Sequence, residues 1–194
     1  MHKIAHRINT IEQLKALTDK SLGVELDLRY EGKDLVLHHD ALRAGDLHFE
    51  DYLKEYHQTG TMILNVKTEG IEEEVLRLLQ KYNVTNYFFL DLSLPFLIKY
   101  MKKGESKIAI RYSEYEPIEL ALAFAGKIEW VWVDCFSHLP LDSHTYKQLK
   151  DAGFKICLVS PELQAHPLEW IETFKKQLDG LEIDAVCTKK PELW

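Results

Sequence analysis

Cysteine is scarce in this sequence: Cys135, Cys157 and Cys187 are the only three, each near the end of an apolar run and none close to another. An odd count without short spacing argues against a disulfide framework or a cysteine zinc site, and predicts buried thiols in a reducing compartment. Dense basic runs are missing too. Lys and Arg number 24 against 31 Asp and Glu, a net charge of −7, which removes the electrostatic footprint of a nucleic-acid or membrane-surface binder. No segment approaches the roughly 18 apolar residues of a membrane span, and the opening MHKIAHRINT has no apolar signal core. No Pro/Gly-rich or low-complexity break divides the chain. These absences predict a single cytoplasmic domain over residues 1–194, with no nucleic acid and no stable membrane association. They leave its oligomeric state open.

What is present is an alternation. Short apolar runs at 3–6, 23–29, 61–67, 86–91, 106–112, 129–134, 155–160 and 184–188 are separated by amphipathic patterns such as IEQLKALTDK, GIEEEVLRLLQKY and PLEWIETFKKQL. Thr10 suits the cap of the first helix, Pro117 the first turn of the fifth, and Gly153 the stop after KQLKDA. Eight strands, each but the last followed by a helix, predict an α/β fold with a parallel sheet. The count of eight favours a compact (β/α)8 TIM barrel over a doubly wound open sheet, which has the same local signature. The turn EGKD and a further apolar run at 35–39 predict a small β-hairpin extension after the second strand.

In such a barrel the chemistry lies at the C-terminal strand ends. The stretch GVELDLR places Glu25, Asp27 and Arg29 on one face of its strand and Val24, Leu26 and Leu28 on the other. A solvated face would account for the charges on an antiparallel ribbon, but a closed barrel leaves no solvated face over most of a strand. Two carboxylates at this spacing can reach one hard cation, such as Mg²⁺ or Ca²⁺. His6 ends the first strand and His38 and His39 end the hairpin, so imidazoles are at hand for proton transfer. Neighbours on a strand face opposite ways, and spacing alone does not choose between His38 and His39. Arg7, Lys67 and Arg111 can hold an anion. Together these groups suit phosphoryl transfer. Trp130 and Trp132 share a face and are expected to pack outward against helices, the alternative being a ring wall beside a substrate. His48, His57, His138, His144 and His166 read as surface histidines in loops or helices.

The motifs IAHR, ELD within GVELDLR, HHD within LVLHHD, and VCTKKPE resemble those of the glycerophosphodiester phosphodiesterases, in order along nearly the whole chain. The resemblance implies a phosphodiesterase in which His6 and His39 exchange acid and base roles. It also implies that Arg7 contacts the phosphate, Glu25 and Asp27 hold a divalent cation, and Lys67 neutralises phosphate charge. A neighbouring substrate hydroxyl would attack phosphorus, and the cyclic phosphate would then be hydrolysed. Two departures stand out. Asn65 occupies the place of the family's third acidic ligand, with Asp91, Glu114 and Asp134 as candidates to compensate; and INT shortens the family's Pro-Glu-Asn-Thr stretch, while the usual substrate-covering insertion is missing. A small glycerol- or sugar-linked phosphodiester is the implied substrate. The competing readings are a non-catalytic barrel that binds a phosphorylated ligand and a metal-independent lyase like the phosphoinositide-specific phospholipases C.

Overall fold

The computed structural model describes residues 1–40 and 46–194. Its strands are β1 (His2–Ala5), β2 (Gly23–Glu31), β3 (Asp34–Leu37), β4 (Leu47–His48), β5 (Met62–Val66), β6 (Tyr87–Leu90), β7 (Ala109–Tyr112), β8 (Trp130–Val133), β9 (Lys155–Val159) and β10 (Ala185–Thr188). Seven helices connect them: α1 (Ile11–Ala16), α2 (Phe49–Lys54), α3 (Glu72–Lys81), α4 (Leu94–Lys102), α5 (Ile118–Leu122), α6 (Ser143–Asp151) and α7 (Trp170–Gln177).

Local chemistry sets several of these ends. Thr10 caps α1: its hydroxyl accepts the Gln13 N–H at 3.2 Å, and the Gln13 side chain returns to the Thr10 N–H at 3.0 Å. Thr10→Ala is expected to lower stability by about 1 kcal/mol, read as a shifted urea midpoint at unchanged slope. Asp142 caps α6 in the same way through Thr145, and Gly153, at φ 84°, supplies the left-handed residue that ends it. Pro117 lies one position earlier than expected, as the extended residue before α5.

Eight strands form parallel ladders in the order β7–β8–β9–β10–β1–β2–β5–β6. Between the two ends of that series, β6 and β7, there is one bridge, Phe89 with Ile108, and the Phe89 N–H donates to the Lys107 carbonyl at 2.9 Å. The start of β2 is tight: a Cβ on Gly23 would lie 2.3 Å from the Thr61 carbonyl oxygen, so only glycine admits this approach.

Antiparallel β3 and β4 extend from the far end of β2. The expected strand at 35–39 starts and stops earlier. His38 and His39 fall outside it, because the His38 ring nitrogen accepts the Asp40 N–H at 3.0 Å and turns the chain. Strand β4 was not expected, since two residues are too few to show alternation; it includes His48.

Register fixes which side chains share a face, since paired residues point the same way. Glu25 pairs with Ile63 and Asp27 with Asn65; Ile63 and Asn65 pair in turn with Phe88 and Leu90. Across the bridge, Ala109 and Arg111 fall on this face, and with them Trp130 and Trp132. The expectation that both indoles pack outward is therefore not met. Trp130 stacks on Phe88 at 4.6 Å, and Trp132 donates to Asp134 at 3.3 Å. Val24, Leu26 and Leu28 lie on the opposite face and are fully buried in the hydrophobic core. Among the described residues, no helix is long and apolar enough to cross a membrane.

Candidate active site at the C-terminal strand ends

The site is assembled where β1, β2 and β5 end. The His6 N–H continues the ladder to the Thr188 carbonyl at 2.9 Å, and the chain then reverses at Arg7, whose φ is 55°. That reversal aims the Arg7 N–H at Glu25 Oε2, 2.8 Å away, while Asn65 Nδ2 donates to Glu25 Oε1 at 2.9 Å. Glu25 is almost wholly buried. Burial first and the adjacent Asp27 second push its carboxyl up to about 7, against the opposing pull of the two donors. His6 Nε2 is 3.7 Å from Glu25 Oε2, and its Nδ1 is buried without a hydrogen-bond partner. Burial, followed by the charges of Arg7 and Lys189, pulls the His6 imidazole down to about 3. Near neutral pH the pair is thus an uncharged histidine beside a partly protonated carboxyl, not an ion pair.

Asp27 is fully buried. Asn9 grips it twice, donating from Nδ2 to Asp27 Oδ2 at 2.8 Å and accepting the Asp27 N–H at 2.9 Å. The other oxygen, Asp27 Oδ1, has no hydrogen bond, and neither does the buried Asn65 Oδ1 on the paired strand. Two orphaned side-chain oxygens beside Glu25 fit a hard cation by donor type. With both Glu25 oxygens already engaged, the fit is strongest at Asp27 and Asn65. Among the described residues no group of three His, Cys, Asp or Glu side chains is arranged to hold a metal.

Lys67 Nζ lies 3.6 Å from Asp27 Oδ1 and 3.5 Å from Asp91 Oδ2. Arg111 is farther round the sheet and engaged on both sides. It contacts Asp91 Oδ1 from Nε (2.8 Å) and Nη2 (2.7 Å), and Asp134 Oδ2 from Nη1 (2.6 Å). Burial opposes the Arg111 charge, but these two carboxylates outweigh it and hold the guanidinium protonated. Glu114, another candidate to replace the missing acid, accepts the N–H groups of Phe136, Ser137 and His138. Burial raises its carboxyl, yet those donors prevail and hold it at about 2. Glu114 and Asp134 therefore have other partners, and Asp91 contacts the site through Lys67.

His39 is at the rim, 39% exposed, with Nδ1 2.8 Å from Asp40 Oδ1. Arg29 holds the turn. Its Nε donates to the carbonyls of His38 (3.2 Å) and His39 (3.1 Å), and its Nη2 donates to His39 O at 2.7 Å. The third charge of GVELDLR thus serves the histidine turn. The exposed Arg7 side chain acts electrostatically on both His6 and Asp40. Sequence assigns no role to Asn9 or Arg29, and it offers Asp91 only as a candidate for the missing acidic ligand, not as a partner of Lys67 and Arg111. The signals available were the Asn retained in INT and the alternation of Arg29 with Glu25 and Asp27. His166, expected at the surface, stacks on Trp170 at 4.2 Å and contacts the Cys135 carbonyl at 3.1 Å.

A cavity of about 760 Å³ opens at the opposite strand ends, among His2, Thr61, Asn86, Lys155 and Asp184. It contains none of the groups above, and its Lys155 and Asp184 already pair with Glu129 and Lys150. The clustered charged groups lie at the other end.

No family model and no curated protein matches the chain. Solved structures do. A structure described as a glycerophosphoryl diester phosphodiesterase of Agrobacterium tumefaciens aligns over 100% of this chain and 95% of its own, at 19% identity and a TM-score of 0.72. A glycerophosphodiester phosphodiesterase of the same organism aligns over 100% and 98%, at 11% identity and 0.72. One from Parabacteroides distasonis aligns over 99% and 84%, at 13% identity and 0.55. The chain therefore has the fold of solved glycerophosphodiester phosphodiesterases, the family whose motifs its sequence resembles.

Proposed function

We propose that this chain is a phosphoric diester hydrolase of the glycerophosphodiester phosphodiesterase type, built on a (β/α)8 barrel closed at the Phe89–Ile108 bridge. Its substrate is a small glycerol- or sugar-linked phosphodiester. The observation that carries this reading is the pairing of unlike histidines around one charged cluster. His6 is largely enclosed and held uncharged, and His39 is more open, at the rim, and hydrogen-bonded to a carboxylate.

Each environment suits one half of proton transfer. An uncharged His6 accepts the proton of the substrate hydroxyl that attacks phosphorus. His39, oriented by its hydrogen bond to Asp40, donates a proton to the departing alkoxide. The P–O bond to the leaving alcohol breaks as the ring P–O bond forms. In hydrolysis of the cyclic phosphate the two histidines exchange roles, and water supplies the new oxygen. Lys67 and Arg7 offset the phosphate charge. Glu25, Asp27 and Asn65 would hold a divalent cation, Mg²⁺ or Ca²⁺, which when bound adds charge stabilisation. The three cysteines, free and buried, suit a reducing cytoplasm.

Alcohol release from a panel of glycerophosphodiesters, with Mg²⁺, Ca²⁺, Mn²⁺ or a chelator, tests this reading. The expected result is turnover that chelator suppresses and added cation restores. Lys67 against Asp27 Oδ1 favours a second reading, in which the ammonium replaces the cation. Chelator-resistant turnover would select it.

A further inference from the structure

We propose that Asp91 is a positioning residue for Lys67: it is the second counter-ion on which the ammonium rests when a cation takes Asp27. The inference rests on the cation-assisted reading above and adds a residue to it.

The geometry has three parts. First, the Lys67 ammonium lies midway between two carboxylates, 3.6 Å from Asp27 Oδ1 and 3.5 Å from Asp91 Oδ2. Both distances exceed the roughly 2.7–2.9 Å of a tight charge-assisted hydrogen bond, so the ammonium is committed to neither side. Second, Asp27 Oδ1 is the buried oxygen without a hydrogen bond, the one a hard cation would use. A cation and an ammonium on one oxygen repel each other, and binding requires Lys67 to move off. Third, Asp91 is fixed in place to receive it. Its Oδ1 is held by Arg111 Nε and Nη2, and Arg111 is anchored in turn by Asp134. Asp134 is itself held by Gln164 at 2.6 Å and the Cys135 N–H at 3.0 Å. Asp91 Oδ2 is left facing Lys67.

Backbone conformation points the same way. Asp91 has φ 61°, the left-handed region in which glycine is least strained and Asp or Asn the most tolerated side chains. A carboxylate is kept at a position where the backbone alone would favour glycine.

The test is calorimetric titration of Mg²⁺ and of Ca²⁺ into wild type, Asp91→Asn, Lys67→Met and the double variant. Asparagine tolerates the same φ and retains an oxygen for Arg111, so the change removes mainly the charge. Asp91→Asn is expected to weaken cation binding about tenfold, within the usual range of coupling between sites. Lys67→Met is expected to tighten it. In the Lys67→Met background, Asp91→Asn should alter affinity by less than about twofold, the limit of simple additivity. Equal weakening in both backgrounds would show that Asp91 acts on the cation directly, and would overturn the proposal. An unchanged affinity accompanied only by a lower melting temperature would do the same, and so would a wild type that binds neither cation. Turnover is measured separately. The coupling in a protein without turnover would keep this inference and sink the phosphodiesterase reading, whereas turnover without cation binding would do the reverse.

Discussion

His6→Ala is expected to lower glycerophosphodiester turnover by roughly 10²- to 10⁴-fold, the usual contribution of a positioned acid–base group. The reason lies in the setting of the imidazole. Burial and the surrounding cations keep it uncharged well below neutral pH, so the base is ready without first losing a proton. Loss should therefore appear in kcat, with binding of a glycerol phosphate product little changed. Retention of more than a tenth of wild-type kcat would remove His6 from the mechanism.

Glu25→Gln is the second large effect, and it divides stability from activity. Burial and Asp27 raise the Glu25 carboxyl to about 7 in the folded protein. Its folded value lies above the ordinary 4.5, so between those values the native state holds a proton that the unfolded chain has lost. Stability from this group accordingly falls as pH rises through that window and stays low above it. His6 has the opposite sign. Its folded value, about 3, lies below the ordinary 6.5, so it withdraws stability as pH falls from 6.5 toward 3. The two slopes oppose one another between 4.5 and 6.5, which leaves the Glu25 slope alone visible from 6.5 to about 7.

A neutral isostere at 25 relieves the cost of a buried charge, roughly 3 kcal/mol from the size of the shift. It also gives the Arg7 N–H and Asn65 Nδ2 only one good acceptor between them, as a protonated Glu25 does, and that loss is already contained in the size of the shift. The net expectation is a metal-free protein more stable than wild type by roughly 3 kcal/mol at pH 8, with the gain vanishing near pH 4. Urea unfolding at the two pH values in the presence of chelator reads this directly. Turnover should fall at least tenfold. A variant less stable than wild type at pH 8 would mean that the hydrogen bonds to Glu25 outweigh its desolvation.

Much of this was legible in the sequence because period and order carry it. Eight apolar runs and the helical patterns between them gave the strands and helices, and IAHR, ELD and HHD already pointed to His6, Glu25, Asp27 and the histidine turn. The rest depends on distance along the chain. Asp91, Arg111 and Asp134 end three different strands or follow them, and nothing local to any of them announces that one guanidinium joins two carboxylates. Likewise, Asn9 and Arg29 act on groups 18 and 10 residues away, Asp27 and His39. Trp130 and Trp132 show the limit of alternation, which says that two rings share a face but not which face. Only the register with Arg111 assigns it.

The most direct test of the whole account is phosphorus NMR of a glycerophosphodiester incubated with the wild-type protein and Mg²⁺ or Ca²⁺, with His6→Ala alongside. The account predicts that the diester signal is replaced first by a cyclic phosphate and then by a glycerol phosphate, and that it persists with His6→Ala. Equal conversion by both proteins, or none by either across the diester panel, would contradict it.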